Sequence, residues 1–131
     1  MKDAPARLLA EFLGVFFLCL FGIGAIMNGA DLTGVALAHG LAIFVAICAF
    51  AHISGAHFNP AVTVALAATK RISPTDAIMY IVAQLVGAVA AAALLNLSFG
   101  TLGGVPSLGE GIMVSTGILI EAVATFILMI V

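Results

Sequence analysis

Long apolar runs alternate with short polar or glycine-rich breaks along this chain. Leu8–Met27 carries one charge, Glu11. Thr33–Ala51 holds one histidine and no formal charge, Ala77–Leu97 has no charge, and Ile112–Val131 carries only Glu121. A helix needs about 20 mostly apolar residues to cross the hydrocarbon core of a bilayer, and each run supplies them. Barrel strands alternate over about 10 residues, which these runs do not. The pattern predicts four transmembrane helices. The competing reading of the first run is a signal peptide, since Lys2 and Arg7 precede it and small residues follow near Ala30. Glu11 and the length of the run argue against that.

A fifth segment does not fit the scheme. His52–Asp76 reads HISGAHFNPAVTVALAATKRISPTD, and its middle, Ala61–Thr69, is almost wholly apolar. Asn59-Pro60 is a helix start, because Asn caps well and Pro suits the first helical position. A helix over Pro60–Thr69 is roughly 15 Å long at 1.5 Å per residue, about half a bilayer. It predicts a re-entrant half-helix. The alternative, an amphipathic helix lying on the surface, needs a charged face, and none precedes Lys70. Ser73-Pro74 repeats the cap logic, with Asp76 in the first turn, so the third span starts there.

Composition agrees. Of 131 residues, 64% are hydrophobic and 8% charged, and the mean hydropathy is +1.33. A typical soluble domain is about a quarter charged. Four basic residues leave no nucleic-acid patch. Cys19 and Cys48 lie in apolar runs and read as small buried hydrophobes, without metal or disulfide framework. All four basic residues, Lys2, Arg7, Lys70 and Arg71, fall on one side of the predicted topology. The positive-inside rule makes that side cytoplasmic, with the amino terminus there. Asn28–Leu32 and the glycine-rich Ser98–Gly111 become external loops. Asp31 and His52 read as interfacial.

The first and last spans resemble each other. Leu9, Glu11, Phe16 and Leu18 recur as Leu119, Glu121, Phe126 and Leu128, each 110 positions on. The paired glutamates weigh most, since intramembrane charge is expensive and usually functional. The two spans start from opposite sides of the membrane, so the repeat is inverted, an arrangement that builds sites at the midplane from broken helices. Residues 1–111 are then one unit of three spans plus a re-entrant loop and half-helix at about 53–69. Residues 112–131 are the first span of a second unit, truncated at Val131.

The string Ser54-Gly55-Ala56-His57-Phe58-Asn59-Pro60-Ala61-Val62 resembles the first signature loop of the aquaporin and aquaglyceroporin (major intrinsic protein) family. The likeness extends to Ala10-Glu11-Phe12-Leu13-Gly14, to Gly34–Ile53, to Ala83-Gln84-Leu85-Val86-Gly87 and to Glu121. The resemblance implies six spans, two half-helices meeting through two Asn-Pro-Ala motifs, and a homotetramer when complete. Only one such motif is present, and the family's fifth span, second motif with its arginine, and sixth span are absent from these 131 residues.

At the candidate site, Asn59 caps a half-helix whose positive end repels cations, while its side-chain amide donates to a passing oxygen. Its rival role is a plain cap. The resemblance implies that the carbonyls of Gly55, Ala56, His57 and Phe58 line a half-pore with His57 at its wall, followed by Asn59, Pro60 and Ala61. It also implies that Glu11 braces this loop and Glu121 the missing one; the rival is a proton relay. Gln84 reads as an interhelical brace rather than a solute ligand. His39, in Ala38-His39-Gly40, matches the external constriction, its rival reading being a histidine satisfied by backbone. No nucleophile–base pair or metal spacing stands out, so neither enzyme, metal nor cofactor is expected. The reading is an all-α membrane protein of the cell membrane, in contact with lipid. It is an incomplete subunit of a passive channel for water or small neutral solutes such as glycerol. The alternative is a small proton-coupled transporter using Glu11, Glu121 and His39.

Overall fold

The computed structural model describes residues 3–130 and is entirely helical there. Its five helices are α1 (Ala4–Met27), α2 (Leu32–Ser54), α3 (Pro60–Ala68), α4 (Pro74–Phe99) and α5 (Val114–Ile130). Three of them, α1, α2 and α4, are long and apolar enough to cross a membrane. The chain is an integral membrane protein. Lys2 and Val131 lie outside the described residues.

Local chemistry sets the helix ends. The Asp31 carboxylate accepts from the Gly34 N–H at 2.7 Å and opens α2. Asn59 Oδ1 accepts from the Ala61 N–H at 2.8 Å and opens α3, with Pro60 in its first turn. Ser73 Oγ accepts from the Asp76 N–H at 3.1 Å and opens α4. Each cap satisfies a backbone donor that has no partner in the helix. At the other ends, Gly55 closes α2 at φ +88° and Gly100 closes α4 at φ +70°. α3 ends with Lys70 in the same left-handed region, as the Arg71 N–H reaches back to the Leu66 carbonyl at 2.8 Å, the Schellman pattern.

The helices outrun the predicted spans at their ends. α1 begins four residues before Leu8, α2 continues three past Ala51, and α4 covers Pro74–Phe99 rather than Ala77–Leu97. α3 has nine residues, about 14 Å, and Thr69 is its cap rather than its last turn. The fourth expected span, Ile112–Val131, contains α5 with a later start. Gly111 at φ +75° delays the helix to Val114, and α5 has 17 described residues, about 25 Å. α5 is a shorter apolar helix beside the three long ones among the described residues.

α1 is the centre, packed against both α2 and α4, while α3 lies on α4 and touches α5. Small residues permit the close approach. A Cβ on Gly87 would collide with the Phe12 carbonyl of α1, and one on Gly14 would enter the Phe58 ring. Val15, Ala46 and Phe58 form the apolar core around which Cys19, Phe50, Ala56 and Ala88 pack. Outward positions such as Leu41, Phe44, Val89 and Ile118 are exposed and apolar, as a lipid-facing surface requires.

A candidate pore loop held by Glu11

The connection between α2 and α3 runs 55–59 without regular structure. Ala56 (φ +52°) and Phe58 (φ +48°) adopt left-handed backbone beside Gly55, at a cost of about 1–2 kcal/mol for each side chain. Something outside the loop must hold it in that shape.

Glu11 supplies that hold. Its side chain is fully buried on α1 and accepts four hydrogen bonds. Oε1 accepts from Ser54 Oγ at 2.6 Å and from the His57 N–H at 3.0 Å. Oε2 accepts from the Phe58 N–H at 2.8 Å and from Gln84 Nε2 at 2.8 Å. The Ala56 N–H donates to Ser54 Oγ at 3.0 Å. Three successive loop N–H groups are thus drawn to the Glu11 side. No protein donor reaches the carbonyl oxygens of residues 55–58 among the described residues, so these acceptors remain free.

Three side chains complete the cluster. Thr63, fully buried on α3, donates its only hydroxyl hydrogen to the Asn59 carbonyl at 3.1 Å. It accepts from Gln84 Nε2 at 3.0 Å and contacts His57 Nδ1 at 3.1 Å. His57 Nδ1 and the Thr63 hydroxyl are thus hydrogen-bond partners. Tyr80, fully buried on α4, donates to the Ser54 carbonyl at 2.8 Å and accepts from Arg7 Nε at 2.7 Å. The edge-to-face His57 and Tyr80 rings are 5.0 Å apart. Gln84 Oε1 is buried without a partner. Asn59 spends Oδ1 on its cap, so its side-chain nitrogen is free to donate.

The other expected residues stand apart. His39 on α2 is half-buried, with Nδ1 2.9 Å from the Val35 carbonyl of its own helix and its ring against Gly22 of α1. Glu121 is the residue that the family resemblance makes the brace of a second loop. It is exposed on α5, because that helix touches only α3 among the helices and most of its surface is uncovered. Glu11, His39 and Glu121 are therefore not one cluster. Sequence reasoning missed Thr63, Tyr80 and Arg7. Tyr80 and Gln84 lie four apart in an apolar helix, and Thr63 lies four after Asn59. Shared helical faces were the available signal.

The match of family models covers residues 2–131, by the description "Major intrinsic protein". The chain belongs to that family. This major intrinsic protein is 42% identical over 135 residues to a protein of Lactiplantibacillus plantarum named "Glycerol uptake facilitator protein-like 6", covering 95% of the chain and 61% of the relative. It is also 42% identical to "Aquaporin TIP4-4" of Zea mays, covering 92% of the chain and 53% of the relative. Against "Aquaporin-4" of Mus musculus identity is 36%, over 89% of the chain and 40% of the relative. The chain spans about three-fifths or less of the length of these relatives.

Proposed function

We propose that this chain is the first repeat, with the first helix of a second, of a passive channel for water or small neutral solutes such as glycerol. The observation that carries the reading is the free row of carbonyls over residues 55–58, ending at the free side-chain NH₂ of Asn59 at the start of a half-helix. Loop backbone with unbonded acceptors survives at membrane depth only where it is buried in protein or lines a water-filled cavity. A single file of solute would exchange its water hydrogen bonds for these acceptors and for the Asn59 donor. The positive end of α3 would disfavour cations at the same point. Relatives named as aquaporins and a glycerol uptake facilitator support the solute class.

In this reading Glu11 and Gln84 brace the loop, His57 stands at the wall, and the Lys70–Arg71 end is cytoplasmic by the positive-inside rule. His39 at the outer constriction and Glu121 as the brace of a second loop rest on family resemblance. One repeat leaves the other half of the pore wall to a second half-helix, and the tetramer to the complete subunit. Stopped-flow light scattering on liposomes tests the proposal. The 131-residue chain alone should give no water or glycerol flux above background, and the chain joined to a carboxy-terminal repeat should give flux that a pH gradient leaves unchanged. Substantial flux from the chain alone, lost on Asn59→Asp, would show that one repeat builds its own pore. Flux driven by the pH gradient would replace the channel with a proton-coupled transporter.

A further inference from the structure

The end of α2 poses a question that the loop brace alone does not answer. If the helix ran on through the loop, the Phe58 N–H would donate to the Ser54 carbonyl, the third i to i−4 bond beyond the last one made, from the Gly55 N–H to the Ala51 carbonyl. Both halves of that bond are instead occupied from other helices. Glu11 on α1 takes the Phe58 N–H at 2.8 Å, and the Tyr80 hydroxyl on α4 caps the Ser54 carbonyl at 2.8 Å. Tyr80 is itself held. Arg7 Nε donates to its oxygen at 2.7 Å, and the guanidinium carbon stands 5.1 Å from the ring centroid. A charged donor on the tyrosine oxygen polarises its O–H and strengthens the bond that it makes onward. Asp76, one turn before Tyr80, lies 3.9 Å from the same guanidinium and steadies it.

We propose that Tyr80, pinned by Arg7, is a positioning residue that stops α2 at Ser54 and so keeps the loop carbonyls open to solute. Without the hydroxyl, the Ser54 carbonyl becomes a buried acceptor without a donor, and its nearest remedy is the Phe58 N–H. Taking it would wind residues 55–57 into a further helical turn and swing carbonyls of residues 55–58 away from the conduit. Glu11 resists from the donor side, and Tyr80 resists from the acceptor side. The conduction part of the proposal rests on the channel reading above; the helix stop does not.

The test therefore has two arms. Ser54–Gly55 is the only Ser-Gly pair in the sequence, so serine labelled at its carbonyl carbon with 13C and glycine labelled with 15N give one correlated NMR signal for the Ser54 carbonyl. In the 131-residue chain in lipid nanodiscs, Tyr80→Phe, which keeps the ring, should move that carbonyl signal upfield, the direction expected when an Arg7-polarised hydroxyl is exchanged for the weaker Phe58 amide donor. Arg7→Gln, which keeps the hydroxyl, should move it the same way by less. In the chain joined to a carboxy-terminal repeat, Tyr80→Phe should lower water flux about two- to tenfold, the effect of one net hydrogen bond, with a smaller loss for Arg7→Gln. An unmoved carbonyl signal overturns the helix stop whether or not flux exists. A moved signal with unchanged flux overturns the link to conduction. Lost flux with an unmoved signal makes Tyr80 a packing residue only. If Tyr80→Phe does not fold, Arg7→Gln decides by the same two readouts.

Discussion

Replacing Glu11 by Gln changes one atom and tests the whole loop. The carboxylate receives two donors on each oxygen: Ser54 Oγ and the His57 N–H on Oε1, the Phe58 N–H and Gln84 Nε2 on Oε2. A Gln at this position keeps one oxygen and puts an NH₂ where the other stood. If the NH₂ replaces Oε1, the Ser54 hydroxyl can turn and accept, but the His57 N–H faces a donor. If it replaces Oε2, the Gln84 amide can flip and accept, but the Phe58 N–H is stranded. Either way one buried backbone donor is orphaned, at about 1–3 kcal/mol. The two surviving bonds lose their charge assistance, roughly another 1–2 kcal/mol together. The expected loss of stability is about 3 kcal/mol, a factor on the order of 100 in the folded-to-unfolded ratio. Denaturant titration in detergent micelles, followed by circular dichroism, measures it. Glu110→Gln, in the exposed glycine-rich loop, is the control and should change stability by less than about 0.5 kcal/mol. A Glu11→Gln chain as stable as that control would refute the claim that this carboxylate holds the loop.

Three further outcomes follow from the same geometry. Gly87→Ala should destabilise the chain by about 1–3 kcal/mol, because the new methyl meets the Phe12 backbone rather than a movable side chain; Gly40→Ala, where nothing lies within 4 Å, should be neutral or slightly stabilising in the same titration. Thr63→Val should cost about 1–3 kcal/mol, since it leaves the Gln84 amide short of an acceptor and His57 Nδ1 short of a partner; an unchanged melting curve would show that they find other partners. Single cysteines across residues 61–69, introduced into a chain lacking Cys19 and Cys48, should react poorly with a membrane-impermeant thiol reagent, while a cysteine at Lys70 or Arg71 reacts well; uniform labelling of 61–69 would place α3 on the membrane surface.

Much of the fold was legible in the sequence because its causes are local. The length of an apolar run decides whether a helix can cross lipid, and 131 residues with 8% charge leave few other options. Caps are equally local: Asn59-Pro60 and Ser73-Pro74 each place an acceptor beside orphan donors a few positions away. The half-helix could be read from these two facts together. A charge inside an apolar run also advertises itself, so Glu11 was visible as a residue with partners to find. The start of the last helix was less legible, since a glycine-rich stretch does not reveal where helix resumes, and it lies at Val114, two residues after Ile112.

Only the tertiary structure decided who those partners are. Glu11 and Phe58 are 47 positions apart, and Arg7 and Tyr80 are 73 apart; no periodicity carries such pairings. They exist because Gly87 lets α4 lie against α1 and Gly14 lets the Phe58 ring seat on it, which brings Glu11, Gln84 and Tyr80 to one level. The same cause separated the two glutamates that looked equivalent. Glu11 is enclosed by α2, the loop that follows it and α4 and receives four donors, while Glu121 sits on a helix with one neighbour and stays exposed. An apolar run with an embedded carboxylate determines that the charge must be satisfied; the packing of other helices around it determines whether, and by which atoms, it is.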